Sequence, residues 1–241
     1  MEFQQLLSYV RRAVQDYDMI SDGDRILVGV SGGKDSLALV RALRALSDFY
    51  PKKFTICAAT IDMGFENTDF EAVNKYCAEI GVEHSIIKTE LGKLIFDVRK
   101  EHNPCALCSN MRRGALVNAC KASGANKLAL GHHMDDIVDT FLLNLLYIGK
   151  IETFQPVTFL DRSGVTVIRP LIYVQEKKLN GYINKYSVPV MKSPCPADKK
   201  TSREDVKRAL NLLSESVPGM SSVKVKIFGA IKKSGINGYH E

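Results

Sequence analysis

No stretch of this chain is apolar for long enough to cross a bilayer; the most hydrophobic run, Phe141 to Ile148, is short and is interrupted by Asn144. The N-terminus lacks the basic start and apolar core of a secretory signal. Glu2, Arg11 and Arg12 sit there on an amphipathic pattern, so a cytoplasmic protein without a membrane partner is expected. Internal repeats and low-complexity tracts are also missing, and with 45% hydrophobic residues nothing suggests a disordered or fibrous chain. Six cysteines without an export signal do not suit a disulfide framework. What is left for them is buried thiols, metal or cluster ligation, or redox chemistry.

What is present begins with an uneven charge. Of a net +6 over 241 residues, +5 falls in residues 199–241, where nine Lys/Arg face four Asp/Glu. Such a segment on a near-neutral body suits a polyanionic partner, nucleic acid first, or else a solvated tail. Before it, short β-branched runs alternate with helical patterns. A helix is expected over residues 3–17, then strand 25–30, helix 34–47, strand 54–61, helix 70–80, strand 84–88, helix 109–122, strand 127–130 and helix 134–147. Strands separated by helices of this length call for crossovers and a mostly parallel sheet covered on both faces, an α/β doubly wound, Rossmann-like class. Beyond Gly149 the pattern predicts a hairpin, 153–160 and 165–169 around Asp161-Arg162-Ser163-Gly164. Helix 175–186, a short strand 189–191, a capping box at Thr201-Ser202-Arg203-Glu204 opening a helix to about 214, and an amphipathic stretch 220–231 complete the chain.

Three segments carry chemistry. Ser31-Gly32-Gly33-Lys34-Asp35-Ser36 joins the first strand to its helix, where free backbone N–H groups and the helix dipole favour an anion. It is not a Walker loop: Val28 stands where the first Gly belongs, and Asp35 follows the Lys. A carboxylate so near phosphates must turn away or help to hold Mg²⁺. Gly131-His132-His133-Met134-Asp135-Asp136 ends the strand 127–130, at a second ligand-binding turn of the same sheet edge. Its acids could simply favour the helix dipole, or bind metal with the histidines. Cys105-Ala106-Leu107-Cys108, followed by Arg112 and Arg113, is a redox, zinc or iron–sulfur signature, with Cys195 far downstream between two prolines. Cys57, Cys77 and Cys120 are assigned to packing. The turn after the second strand, Ile61 to Gly64 with Asp62, occupies the same edge and is a candidate for adenine or ribose.

Ser31 to Ser36 resembles the PP-loop of the N-type ATP pyrophosphatases, an adenine nucleotide alpha hydrolase-like fold. The order PP-loop, C-x-x-C with Arg112-Arg113-Gly114, G-H-H-x-D-D, Ile168-Arg169-Pro170-Leu171 and Pro194-Cys195 resembles the tRNA 2-thiocytidine synthetase (TtcA) group. That resemblance implies an ATP-dependent tRNA sulfurtransferase that adenylates a pyrimidine C2 oxygen and replaces it with sulfur. It implies a [4Fe-4S] cluster on Cys105, Cys108 and Cys195, with one iron free for a sulfide. It further implies ATP and Mg²⁺ held by Ser31, Gly32, Gly33, Lys34, Asp35, Ser36, Asp62, Gly131 and His132, with Lys34, Asp35, Asp135 and Asp136 catalytic. Arg112, Arg113, Lys199 and Lys200 would meet tRNA phosphates, a sulfur donor (free sulfide or cysteine desulfurase-derived) is needed, and homodimers occur. Residues 1–195 would form the nucleotide domain and 196–241 a basic helical extension. The readings that compete with it are a sister-group 2-thiouridine synthetase, a cluster-free persulfide thiolase, a lysidine-type ligase and a non-catalytic, nucleotide-responsive tRNA-binding module.

Overall fold

The computed structural model describes residues 1–66, 68–99, 104–196 and 202–240. At its centre is a sheet of six strands, β1 (Asp24–Gly29), β2 (Phe54–Asp62), β3 (His84–Lys88), β4 (Lys127–Ala129), β5 (Val157–Leu160) and β6 (Val165–Ile168). Their order is β3-β2-β1-β4-β6-β5. All neighbours run parallel except the β5–β6 hairpin. The order reverses between β1 and β4, which side by side make the switch point where ligands of open α/β sheets bind.

Alternation of side chains along buried strands divides the core into two layers. Ile26 and Val28 of β1 join one cluster and Leu27 the other; Ala129 and Leu128 of β4 divide in the same way. The first layer is covered by α1 (Phe3–Asp16), α2 (Lys34–Phe49), α3 (Glu71–Glu79), α6 (Met134–Leu143) and α7 (Glu176–Tyr186). The second is covered by α5 (Pro104–Ala122) and by the short α4 (Leu91–Lys93), which runs on into a π-helical turn, Leu94–Arg99.

The expected boundary at residue 195 is not a packing boundary. Helices α8 (Ser202–Ser216) and α9 (Val223–Lys233) bury Val206, Leu210, Val223, Phe228 and Ile231 in the first layer, together with residues of α1 and α2. The amphipathic stripe read from the sequence is a core-facing stripe, and these helices complete the layer. Three further expectations are corrected. Helix α5 starts at Pro104 rather than 109, a residue whose fixed φ suits a first helical position. Strand β5 starts at 157, because Pro156 cannot donate to a ladder. Residues 189–191 form no strand, and Met191 N–H instead donates to the Gly32 carbonyl at 2.9 Å. Among the described residues no helix is long and apolar enough to cross a membrane.

Candidate active site

The PP-loop is shaped by its own side chains. Gly32 has φ +78°, a conformation that L side chains rarely adopt, and a Cβ there would lie 2.6 Å from Met191 Sδ. The Ser36 hydroxyl accepts from Ser31 N–H at 3.1 Å and donates to the Gly33 carbonyl at 2.8 Å, so the loop is folded before any ligand arrives. Gly33 caps α2, whose N-terminus faces the switch point.

The G-H-H-x-D-D turn packs directly on this loop. A Cβ on Gly131 would meet Ser36 N at 3.1 Å and the Asp35 carbonyl carbon at 3.2 Å, a tight contact with backbone that glycine avoids. His133 N–H donates to Asp136 Oδ2 at 3.0 Å and starts α6. The buried His133 ring bridges the two motifs, with Nε2 3.9 Å from Asp35 and Nδ1 3.5 Å from Asp136.

A cavity of about 560 Å³ opens where these turns meet. Its wall includes Ser31, Gly33, Asp35 and Ser36 from the first turn, and Gly131, His132 and Asp136 from the second. Cys105 and Cys108 from α5 and Cys195 from the loop after α7 line the same space. Arg112 and Arg113 line it as well. Asp62 does not: its Oδ1 accepts from Gly64 N–H at 2.9 Å, while Ala59 and Ile61 of β2 supply the wall. Asp135 is also turned elsewhere, its Oδ2 accepting from Glu176 N–H at 2.7 Å and its Oδ1 3.1 Å from Lys224 Nζ. Lys34 lies beside the cavity, 3.0 Å from both Asp35 Oδ2 and Glu176 Oε1. Lys199 and Lys200 lie outside the described residues.

Electrostatics sort these groups. Burial lifts the Asp35 carboxyl above its ordinary value despite His133 and Lys34, and its Oδ1 is buried without a partner. Burial would also lift Asp136, but His133, His132, the His133 N–H and Arg203 outweigh it, and the carboxyl stays below its ordinary value. Burial works against the Lys34 charge, yet Asp35 and Glu176 raise its pKa. Burial drives His132 down to about 4, so the ring is neutral at physiological pH. An orphaned carboxylate oxygen beside an ionised Asp136 is a donor set that fits a hard divalent cation such as Mg²⁺.

Burial also raises the thiols of Cys105 and Cys108, for Cys108 against the pull of Arg112. Among the described residues no three metal-ligating side chains converge on a single-ion position. What unites the three thiols is the shared cavity wall, and a soft, thiol-only donor set in which metal binding would stabilise the thiolates fits an iron–sulfur cluster. The other cysteines are packing residues. Cys57, Cys77 and Cys120 are buried, and burial pushes the Cys77 and Cys120 thiols up to about 11.

Sequence reasoning gave Arg169 no role, yet it lines the cavity at the end of β6. Only 5% exposed, it has no carboxylate partner among the described residues, and burial brings its pKa down to about 10. The signal was available, since a cation at the end of a parallel strand shares the edge of the two loops. Glu176, which holds Lys34, and Arg203, 3.2 Å from Asp136, carried no signal, because tertiary packing alone brings them there.

A sheet reversing at β1 and β4, with a non-Walker phosphate loop at that point, defines a PP-loop domain, and the family model described as the PP-loop domain matches residues 4–213. The tRNA-cytidine(32) 2-sulfurtransferase of Geobacter sulfurreducens is 34% identical over 235 residues, 96% of this chain and 91% of that protein. Its counterpart in Geobacter metallireducens is 36% identical over 230 residues, 95% of this chain and 89% of that protein. The chain belongs to the tRNA-cytidine(32) 2-sulfurtransferase family of PP-loop enzymes. Among solved structures, the U34-tRNA thiolase NcsA from Methanococcus maripaludis, solved with its [4Fe-4S] cluster, superposes with a TM-score of 0.72. At 23% identity, over 95% of this chain and 79% of that one, the likeness shows a shared fold.

Proposed function

We propose that this enzyme uses ATP to convert a cytidine of tRNA, position 32 by its relatives, to 2-thiocytidine. The observation that carries the reading is the single cavity, in which the PP-loop, the G-H-H-x-D-D turn and three cysteines from distant segments share one wall.

The cytosine O2 attacks the α-phosphorus of ATP; a new O–P bond forms as the α–β bridge breaks, and pyrophosphate leaves. The backbone N–H groups and hydroxyls of Ser31 to Ser36 receive the charge that develops on pyrophosphate, aided by the α2 dipole. Lys34 adds its charge by exchanging Glu176 for a phosphate oxygen. Asp35 and Asp136 are the residues that would hold Mg²⁺. His132, neutral, lines the site without adding charge. Sulfur at the sulfide level then forms the C2–S bond while C2–O breaks and AMP departs, so the base undergoes no net redox change. Cys105, Cys108 and Cys195 would hold the [4Fe-4S] cluster, which supplies an iron not liganded by protein for the sulfur. Arg112 and Arg113 bind anionic groups of the tRNA as it enters. Incubating the cluster-loaded protein with tRNA, ATP and sulfide under argon tests the reading. It requires 2-thiocytidine together with AMP and pyrophosphate; ATP binding without turnover would instead mark a nucleotide-responsive tRNA-binding module.

A further inference from the structure

The carboxylate of Asp136 already carries a cation from the chain itself. Its Oδ2 accepts from His133 N–H at 3.0 Å, the bond that starts α6, and its Oδ1 accepts from Arg203 Nη1 at 3.2 Å. Nη2 of the same guanidinium donates to Thr140 Oγ1 at 3.2 Å, so Arg203 spans one turn of α6, from Asp136 to Thr140. The needs of α8 do not explain this residue. Arg203 stands in the first turn of that helix, where the dipole favours the acids that follow it, Glu204 and Asp205, and opposes a cation. Its side chain is 37% exposed, and both Asp136 and the neighbouring Glu204 line the cavity, so the pair is within reach of water and ions.

A hard divalent cation needs carboxylate oxygens. On Asp136, Oδ2 is committed to the start of α6, which leaves Oδ1 as the oxygen that can change partners. A dication at Oδ1 would meet the guanidinium at contact distance and repel it. We propose that Arg203 is an exchangeable counter-ion of Asp136: it orients the carboxylate before the metal enters and gives up Oδ1 to it, keeping Thr140 as its anchor. Arg203 is thus a positioning residue, and metal binding is an exchange of cations rather than an addition. The inference rests on the assignment of Mg²⁺ to Asp35 and Asp136 and adds to it the residue that competes for the site.

The test is Mn²⁺ binding, read as loss of the free-ion EPR signal, without nucleotide and again with the uncleavable α,β-methylene-ATP. Wild type is compared with Arg203→Ala, Arg203→Lys and Arg208→Ala, each checked for folding by thermal melting. Without nucleotide, Arg203→Ala should bind Mn²⁺ about two- to fivefold more tightly, the range by which a partly exposed ion pair competes. Arg203→Lys keeps a cation in place and should bind as the wild type does. Arg208→Ala removes the same charge from the exposed side of α8, where Arg208 pairs with Asp205, and should also leave the affinity unchanged. Adding Asp136→Asn to Arg203→Ala should abolish the gain. Mn²⁺ binding no tighter in Arg203→Ala than in wild type, with a lowered melting temperature, would make Arg203 a brace between α8 and α6 and overturn the proposal. Equal tightening in Arg208→Ala would overturn it as well, by showing a general field and not an exchange at Oδ1. Binding absent from every protein, even with the nucleotide analogue, would instead refute the metal assignment itself.

Discussion

The ammonium of Lys34 stands 3.0 Å from Asp35 Oδ2 and 3.0 Å from Glu176 Oε1, with side-chain exposures of 24%, 26% and 27%. To reach a phosphate it must give up one of these partners, and the cost decides whether Glu176 restrains catalysis. An ion pair with this access to water contributes about 0.2–1 kcal/mol, and Lys207 at 3.9 Å remains to hold the carboxylate. Glu176→Gln should therefore tighten ATP binding by no more than about fivefold. Lys34→Ala removes a charge that acts on the departing pyrophosphate, a loss on the order of 10²–10³ in rate. It also leaves Asp35, already raised by burial, without its cation, so the Asp35 carboxyl should rise further. Equilibrium titration with ATP and tRNA-dependent AMP release, run on both variants, separate the two effects. The brown colour that an iron–sulfur cluster would give the protein should persist in each, because neither Lys34 nor Glu176 is part of the wall that carries Cys105, Cys108 and Cys195. A Lys34→Ala enzyme within tenfold of wild type would refute the role given to Lys34, and loss of colour together with activity would show that the variant disturbs the cysteine wall of the cavity and not the departing pyrophosphate alone.

Other perturbations test other parts of the site. Asp139 is fully buried, neither of its oxygens has a partner, and burial pushes its carboxyl up from 3.8 to about 6. A group that binds its proton more tightly when folded lends stability at low pH that is lost as the pH rises through about 6. Asp139→Asn should thus stabilise the protein at pH 8 by up to about 3 kcal/mol, with a gain that shrinks between pH 6 and 4; parallel urea midpoints across that range would contradict it. Gly131→Ala would shift its turn or the α2 N-terminus by a few tenths of an ångström and should weaken ATP binding modestly while leaving the cluster spectrum intact. Cys195→Ala should lose the cluster spectrum yet still bind ATP, and a variant that kept the brown colour would remove Cys195 from the ligand set.

Much of the fold could be read from local pattern, because β1, its glycine turn and α2 each carry a self-sufficient signal. The same holds for β4 and the G-H-H-x-D-D turn, and the parallel-sheet rule then put both at one edge. The start of α5 was missed because Cys-Ala-Leu-Cys has little apolar periodicity; its helical state begins with Pro104. The packing of the C-terminal helices was hidden by their charge. Composition cannot tell a solvent-facing lysine from one turned inward, and Arg203, Lys207 and Lys224 turn towards Asp136, Glu176 and Asp135. Asp135 and Asp136 looked equivalent in sequence. One helix position apart, they point to different neighbours, and only Asp136 lines the cavity.

The central claim is that one cavity joins adenylation to sulfur transfer on a tRNA cytidine. It is tested most directly by nucleoside mass spectrometry of tRNA after an anaerobic reaction with ATP and sulfide, with AMP and pyrophosphate measured in the same tube. Equal amounts of 2-thiocytidine, AMP and pyrophosphate are predicted; AMP and pyrophosphate without 2-thiocytidine, or 2-thiouridine in its place, would contradict the account.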